Sequence, residues 1–592
     1  MTDDPRHDIA RLVDEAQPIG AEPVGGEGEE FDPSDSWGGG DPPEPPFGDG
    51  VDDPSPEKPD TEAVEWCARL DHSDTDNARR LIRHFGRDMA VMAQDEVSAG
   101  SFLSWTGTHW DLAGGLARAK VTVQMLGSRI LMEANYLAAT PRETRAIEAA
   151  APLRAKKRTE LNEDEKVLLN AGDAAEDAIG KRQAKRRAWA ITSKNKGRMD
   201  AALDCAAPRL RRSPDAFNED RHRIATRTHT LQFAREEDLE CPDPNAKRFR
   251  GVYEAIAGHR REDWITAVVP QAYDPTAKAE RWRAFLDRML PDEAKRRTVQ
   301  QFTALGLLSL HVQYLMFHYG LGANGKSVFM ETITRVLGPS LAVGLPRESI
   351  VGGSERASGG ASPDIARLYG KRFVRILEVA GNQQIQEDMI KKLTGGEAIP
   401  VRSLYKGYFE FSNFATAHMS GNDFPRIDGT DNGIWRRLLV VHWDQTIPEA
   451  ERGDFETVVA GFVNEEGPGI LNWLIEGVCD FLANGLVIAD SVRADTKDYR
   501  DDMDPVGEFL TACVKVSVGG RVQAHSMYEG YVSWSLANAK RPLSQTRFGK
   551  RLKQLYERSE IGGRLYYQGC ELHDVPDRPE APQPHSGLDL GR

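Results

Sequence analysis

Between residues 300 and 445, short apolar runs alternate with helix-periodic segments, and glycine-rich turns separate them. YLMFHY (314–319) reads as a strand and SVFMETITRVL (327–337) as the helix that follows it. KRFVRILEVAG (371–381), FATAHMSGND (414–423) and NGIWRRLLVVHW (432–443) supply three more strands. This alternation predicts an α/β domain. From 64 to 300 the pattern is charged and reads as mostly helical. Within it SFLSWTGTHWDL (101–112) has period two about Thr106-Gly107-Thr108, which predicts a hairpin. Beyond a helical stretch to about 495, DPVGEFL (504–510), AHSMYEGYVSWSLANA (524–539) and SQTRFGKRLKQL (544–555) read as three helices. EIGGRLYYQGCEL (560–572) reads as a closing hairpin. Residues 1–63 and 576–592 carry no apolar period. The expected organisation is a disordered tail 1–63, a mainly helical domain 64–300, an α/β domain 301–495, a small unit 496–575 and a flexible tail 576–592. No internal repeat is visible.

Charge sharpens this division. The net charge of the chain is −15, yet residues 1–64 hold 19 acids against Arg6, Arg11 and Lys58. The remainder is almost neutral, with 72 acids and 73 bases, so a basic surface for nucleic acid is compatible with an acidic whole. The tail reads either as a solvating segment or as a docking segment built around Phe47. The clusters Arg154–Arg158 and Lys181–Arg187 suit either phosphate contact or solvated helix faces. Six scattered cysteines with no CxxC pair suggest neither a disulfide framework nor a zinc ribbon. MTDDPRHDIA lacks the layout of a signal peptide, and the longest apolar run, 302–317, is too short to span a bilayer. The expectation is a soluble protein of a bacterial or archaeal host cytosol, with no membrane partner.

Gly320-Leu321-Gly322-Ala323-Asn324-Gly325-Lys326-Ser327 satisfies the pattern G-x-x-x-x-G-K-[ST], between a predicted strand and a predicted helix. In such a loop glycines turn backbone N–H groups onto phosphates, Lys326 reaches the β and γ oxygens of ATP, and Ser327 ligates Mg²⁺. Glu378, ending a strand, is the candidate to hold the Mg²⁺ shell and polarise water. Asn422, ending another strand, can bond the γ-phosphate without adding charge. Arg436 and Arg437 begin a further strand. Either can serve a neighbouring subunit as an arginine finger, and the pair also reads as structural or DNA-facing.

The ordered series GANGKS, LYGKRFVRILE, IKKLTGGEAIPVRSLYKGYFEF and SGNDFPRIDGTDNGIWRRL resembles the superfamily 3 helicases of the phage and plasmid helicase–primase group, with poxvirus and satellite-phage members. The resemblance covers about 70–575, and its compactness is characteristic, with 96 positions from Lys326 to Asn422. It implies an AAA+-like P-loop ATPase core, a mainly helical N-terminal domain and a C-terminal winged-helix-like domain. It also implies ATP-driven unwinding of single-stranded and forked DNA substrates by a hexameric ring, during replication of a phage, plasmid or other mobile element. Glu378 becomes the Walker B acid, Asn422 the sensor, and Arg436 or Arg437 the finger. RSLYKGYFEF (402–411) corresponds to the hairpin that enters the channel, offering Arg402, Tyr405, Lys406 and Tyr408 to a DNA strand. Arg547, Lys550, Arg551 and Lys553 fall on the recognition helix and Arg564 on the wing, where DNA reading, phosphate anchoring and protein contact stay open. A replication protein is the natural partner of the acidic tail. Two departures stand out: Val379 and Ala380 follow Glu378 where members often carry a second acid, and Glu397 replaces an Asp. The alternatives are an initiator or loader that binds DNA without unwinding, and a helicase–primase. No D-x-D pair on a credible strand supports priming.

Overall fold

The computed structural model describes residues 59–93, 101–239, 248–352, 363–377, 379, 383–402, 408–427, 432–538, 540 and 542–578. The expected tails 1–63 and 576–592 therefore lie almost wholly outside the described residues, as do Glu378, Tyr405 and Lys406.

The N-terminal part opens with β1 (Met89–Met92), β2 (Ser101–Trp105), β3 (Trp110–Asp111) and β4 (Arg211–Arg212), which form a sheet in the order β3-β2-β1-β4. The expected hairpin is β2–β3, and Gly107 at its turn takes φ +94°, which favours glycine. Helices Asp74–Phe85, Leu126–Glu133, Glu163–Thr192 and Lys196–Ala206 supply Leu81, Ile130, Ala190 and Leu203 to a core shared with Val91 and Phe102. A second sheet, β5 (Arg223–Thr226), β6 (His229–Glu237), β7 (Phe249–Ala257) and β8 (Val268–Val269), has the order β7-β6-β5-β8. The region is thus mainly helical, as expected, but it also carries this second sheet, which was not. Its longest strands carry Arg and Glu at exposed positions, which hides their period in a charged background. Gly251 of β7 lies so close to the helix Phe455–Asn484 that a Cβ there would meet the Cys479 carbonyl at 2.1 Å. Glu466 of that helix accepts the backbone N–H groups of Arg281 (2.9 Å) and Trp282 (2.8 Å), capping the helix Glu280–Met289.

Cys67, His84 and Glu133 bring potential ligand atoms within 4.8 Å of one another in this N-terminal part. Both oxygens of Glu133 are taken by Arg80 (2.8 Å) and by Arg186, so the cluster is an ion-pair hub that repels a cation.

The central sheet contains β9 (Leu315–Tyr319), β10 (Ala342–Leu345), β11 (Phe373–Ile376), β14 (Thr416–Gly421) and β15 (Leu438–His442), all parallel, in the order β10-β11-β14-β9-β15. β14 is buried throughout, and β9 and β15 almost so, which explains the near-continuous apolar sequences of β9 and β15. The helix Lys326–Leu337 packs Phe329, Met330, Ile333 and Val336 against this sheet. Between β11 and β14, β12 (Ala398–Arg402) and β13 (Tyr408–Ser412) pair antiparallel, with Arg402 opposite Tyr408.

The C-terminal unit runs helix Pro505–Cys513, β16 (Val514–Gln523), helices Ala524–Ala537 and Gln545–Leu555, β17 (Arg558–Ile561) and β18 (Arg564–Leu572). Its sheet order is β16-β18-β17, around a core of Phe509, Tyr531, Phe548, Leu552 and Tyr567. The predicted three helices and hairpin are present. β16 was not predicted, because Gly519-Gly520 and a register shift break its alternation. Among the described residues, no helix is long and apolar enough to cross a membrane.

Candidate functional site

The loop after β9 enters the helix Lys326–Leu337 through three positive φ angles: Gly322 (+107°), Ala323 (+47°) and Gly325 (+77°). Such a sequence curls backbone N–H groups inward, and the helix N-terminus adds its partial positive charge. Gly320 cannot carry a side chain. A Cβ there would lie 2.2 Å from the Asn324 amide nitrogen and 2.5 Å from the Trp443 carbonyl oxygen. Asn324 Nδ2 donates to that same carbonyl (3.2 Å), which ties the loop to the end of β15. Leu321 is exposed, and Ser327 is exposed in the first helical turn.

Lys326 is the centre of the arrangement. Its buried ammonium donates to the Gly320 carbonyl (2.6 Å), Asn324 Oδ1 (2.8 Å) and Asn422 Oδ1 (3.3 Å). Burial lowers its pKa to about 8. Asn422 follows β14, the strand next to β9, and the register sets Gly421 beside Tyr319. The sequence-predicted loop, lysine and asparagine therefore meet in one place, at the C-terminal ends of adjacent parallel strands. β11, which leads to Glu378, lies on the far side of β14, and Glu378 itself lies outside the described residues.

Arg436 and Arg437 do not join this group. They precede β15, whose register begins Leu438 opposite Leu315 and ends His442 opposite Tyr319. They sit at the opposite end of the sheet from Gly320, roughly 20 Å away at about 3.3 Å per residue. Arg436 is exposed. Arg437 is half-buried, and its guanidinium donates to the Gly433 carbonyl at 3.3 Å.

Beneath the loop, sequence inspection missed a buried polar chain. Trp443 Nε1 donates to His318 Nδ1 (3.1 Å), and His318 Nε2 lies 3.1 Å from His418 Nδ1. Burial, with the Lys326 charge second, lowers the His318 pKa to about 3. Both histidines stand inside apolar strands, and polar residues at fully buried strand positions were the available signal.

On the helix Gln545–Leu555, Arg547, Lys550 and Lys553 are exposed, as is Arg564 at the start of β18. Arg551 turns inward: it pairs with Asp504 at 2.8 Å, the residue that also caps the helix Pro505–Cys513. Of the two basic clusters, Arg154 pairs with Asp173 and Glu176, Lys156 with Glu165, and Arg182 with Glu143, so much of their charge is answered within the chain.

Comparison with known proteins follows the same order along the chain. The family described as D5 N terminal like matches residues 78–291, a family of unknown function matches 318–437, and Poxvirus D5 protein-like matches 501–568. The Acanthamoeba polyphaga mimivirus protein named "Putative helicase L207/L206" is 25% identical over 276 residues, which is 43% of this chain and 28% of that one. Primase D5 of Fowlpox virus (strain NVSL) is 29% identical over 153 residues, 25% of this chain and 19% of its own. The matches thus span less than a third of these relatives' length. A solved structure of the NrS-1 C terminal region aligns with 55% of this chain and 94% of its own, at 12% identity and a TM-score of 0.34. D5-type family matches thus flank the loop and its two strands, and over these stretches the chain is similar to viral proteins named as putative helicases and a primase.

Proposed function

We propose that this chain is an ATP-hydrolysing DNA helicase motor. The observation that carries the proposal is the position of Lys326, held between the glycine-rich loop and Asn422 with no carboxylate partner among the described residues. A buried cation so placed suits the terminal phosphates of a nucleoside triphosphate, and the loop N–H groups of 322–325 suit the β-phosphate. The exposed Ser327 hydroxyl and the Glu378 carboxylate would hold Mg²⁺, which neutralises charge on the β and γ oxygens. Asn422 would exchange its bond with Lys326 for one to the γ-phosphate or the attacking water. Arg436, exposed at the far end of the sheet, is suited to reach a neighbouring subunit's site, so a ring is the assembly the geometry favours. The C-terminal helix–strand–helix–helix–hairpin order is that of a winged helix, with Arg547, Lys550, Lys553 and Arg564 facing DNA phosphates. The paired strands β12 and β13 serve as the arms of a channel hairpin.

Strand displacement on a forked duplex with ATP and Mg²⁺ tests this directly. Wild-type protein should unwind, and Lys326→Ala should lose both hydrolysis and unwinding while keeping its oligomeric state. Full unwinding by Lys326→Ala defeats the mechanism. Nucleotide-dependent DNA binding with no displacement by the wild type would make the chain a loader instead.

A further inference from the structure

Four aromatic residues from distant parts of the sequence form one continuous stack beside the candidate site. Tyr319 ends β9 and directly precedes Gly320. Phe424 lies two residues beyond Asn422. Tyr499 belongs to the helix Asp490–Asp502, which leads into the C-terminal unit, and Trp435 directly precedes Arg436. The Tyr319 and Phe424 rings are nearly parallel, 18° apart at 4.1 Å between centroids. Phe424 and Tyr499 repeat the arrangement at 13° and 4.2 Å. Trp435 meets Tyr499 edge-on at 5.1 Å.

The two ends of the stack differ. Tyr499 is fully buried, and its hydroxyl donates to the Pro425 carbonyl; Trp435 is also buried. Tyr319 and Phe424 are only half-buried. The stack is therefore anchored at the helix and open at the loop. Phe424 is stacked face to face between Tyr319 and Tyr499, so a shift of its ring meets both neighbours. Only Asp423 separates Phe424 from Asn422, so a displacement of Asn422 is passed to the ring.

We infer that Phe424 is a positioning residue that couples events at Lys326 and Asn422 to the helix Asp490–Asp502 and to the Arg436–Arg437 segment. The inference rests on the nucleotide reading above. When Asn422 leaves Lys326, Phe424 shifts between its neighbours, and Tyr499 and Trp435 carry that shift to the C-terminal unit and the outward arginine. DNA held by the C-terminal unit acts back on the site through the same rings.

The test compares wild type, Phe424→Leu, Phe424→Tyr and Tyr499→Phe, each checked for an unchanged melting curve. Affinity for a fluorescent ATP analogue and the stimulation of ATP turnover by single-stranded DNA are measured for each. Phe424→Leu should bind the analogue within about twofold of wild type yet lose about tenfold in DNA stimulation, within the range that such coupling spans. Phe424→Tyr, which keeps the stacked ring, should restore the stimulation. Stimulation equal to wild type in Phe424→Leu overturns the inference, and so does a parallel loss of analogue affinity, which marks a merely structural ring. Should Phe424→Leu melt early, Tyr499→Phe decides: it keeps the stack but frees its anchor, and undiminished stimulation there overturns the inference. A wild type that binds no analogue defeats the nucleotide reading itself, before any variant is compared.

Discussion

The paired histidines beneath the loop make acid sensitivity a quantitative test of the structure. Trp443 Nε1 can only donate, so His318 Nδ1 must accept and its proton must sit on Nε2, facing His418 Nδ1. The His418 Nε2 proton then has no polar partner among the described residues, and the ring lies beside those of Phe302 and Phe373. A proton added to His318 Nδ1 would confront the indole N–H in a fully buried place. Burial, with the Lys326 charge second, takes the His318 pKa from 6.5 to about 3. Because the folded value lies below the unfolded one, the unfolded chain binds the extra proton between them. Stability from this group is complete above about 6.5 and is lost as pH falls toward about 3. At pH 5.0 the loss from His318 alone is about 2 kcal/mol, and His418, depressed by burial and by His318, adds to it. His318→Gln removes the titrating group and can still accept from Trp443. Urea titrations at pH 7.5 and 5.0 should therefore give a stability difference about 2 kcal/mol smaller in the variant than in wild type. Equal differences in the two proteins would show that His318 is not held neutral between Trp443 and His418.

Three further outcomes follow from contacts elsewhere. Gly320→Ala should abolish nucleotide binding with little change in melting temperature, because its Cβ must displace Asn324 and the Trp443 carbonyl; retained affinity by calorimetry would contradict the loop geometry. Glu466→Ala leaves two helix-start N–H groups without their acceptor and should cost about 3 kcal/mol in urea denaturation, whereas a change below about 1 kcal/mol would mean that water replaces the carboxylate. Lys550→Ala and Lys553→Ala should each reduce the slope of log affinity for duplex DNA against log salt by about one. Arg551→Ala should leave that slope unchanged and instead lower stability by about 1 kcal/mol through loss of Asp504, and an equal change of slope would place Arg551 on the DNA face.

What was legible in the sequence and what was not divides along a physical line. The loop from Gly320 to Ser327 announces itself because its chemistry is local: glycines supply the positive φ angles, and the lysine follows within the same turn. Asn422 was legible for a related reason, since FATAHMSGND reads as a strand and Gly421-Asn422 mark its end. The sheet of β5 to β8 was obscured because only one face of its long strands is buried. Arg551 could not be told from Lys550 in the sequence, because neighbouring helical positions differ only in which way they face. Asp504, its partner, lies 47 positions earlier. The aromatic stack was least accessible, for Tyr319, Phe424, Trp435 and Tyr499 are ordinary apolar residues of their own segments. Their meeting depends on parallel strand order, which sets β14 beside β9, and on the helix Asp490–Asp502 returning across β15. The groups that do chemistry are thus locally encoded, whereas those that would link one chemical event to the next are products of topology. A mutational search guided by motifs alone would pass over Phe424 while finding Lys326 at once.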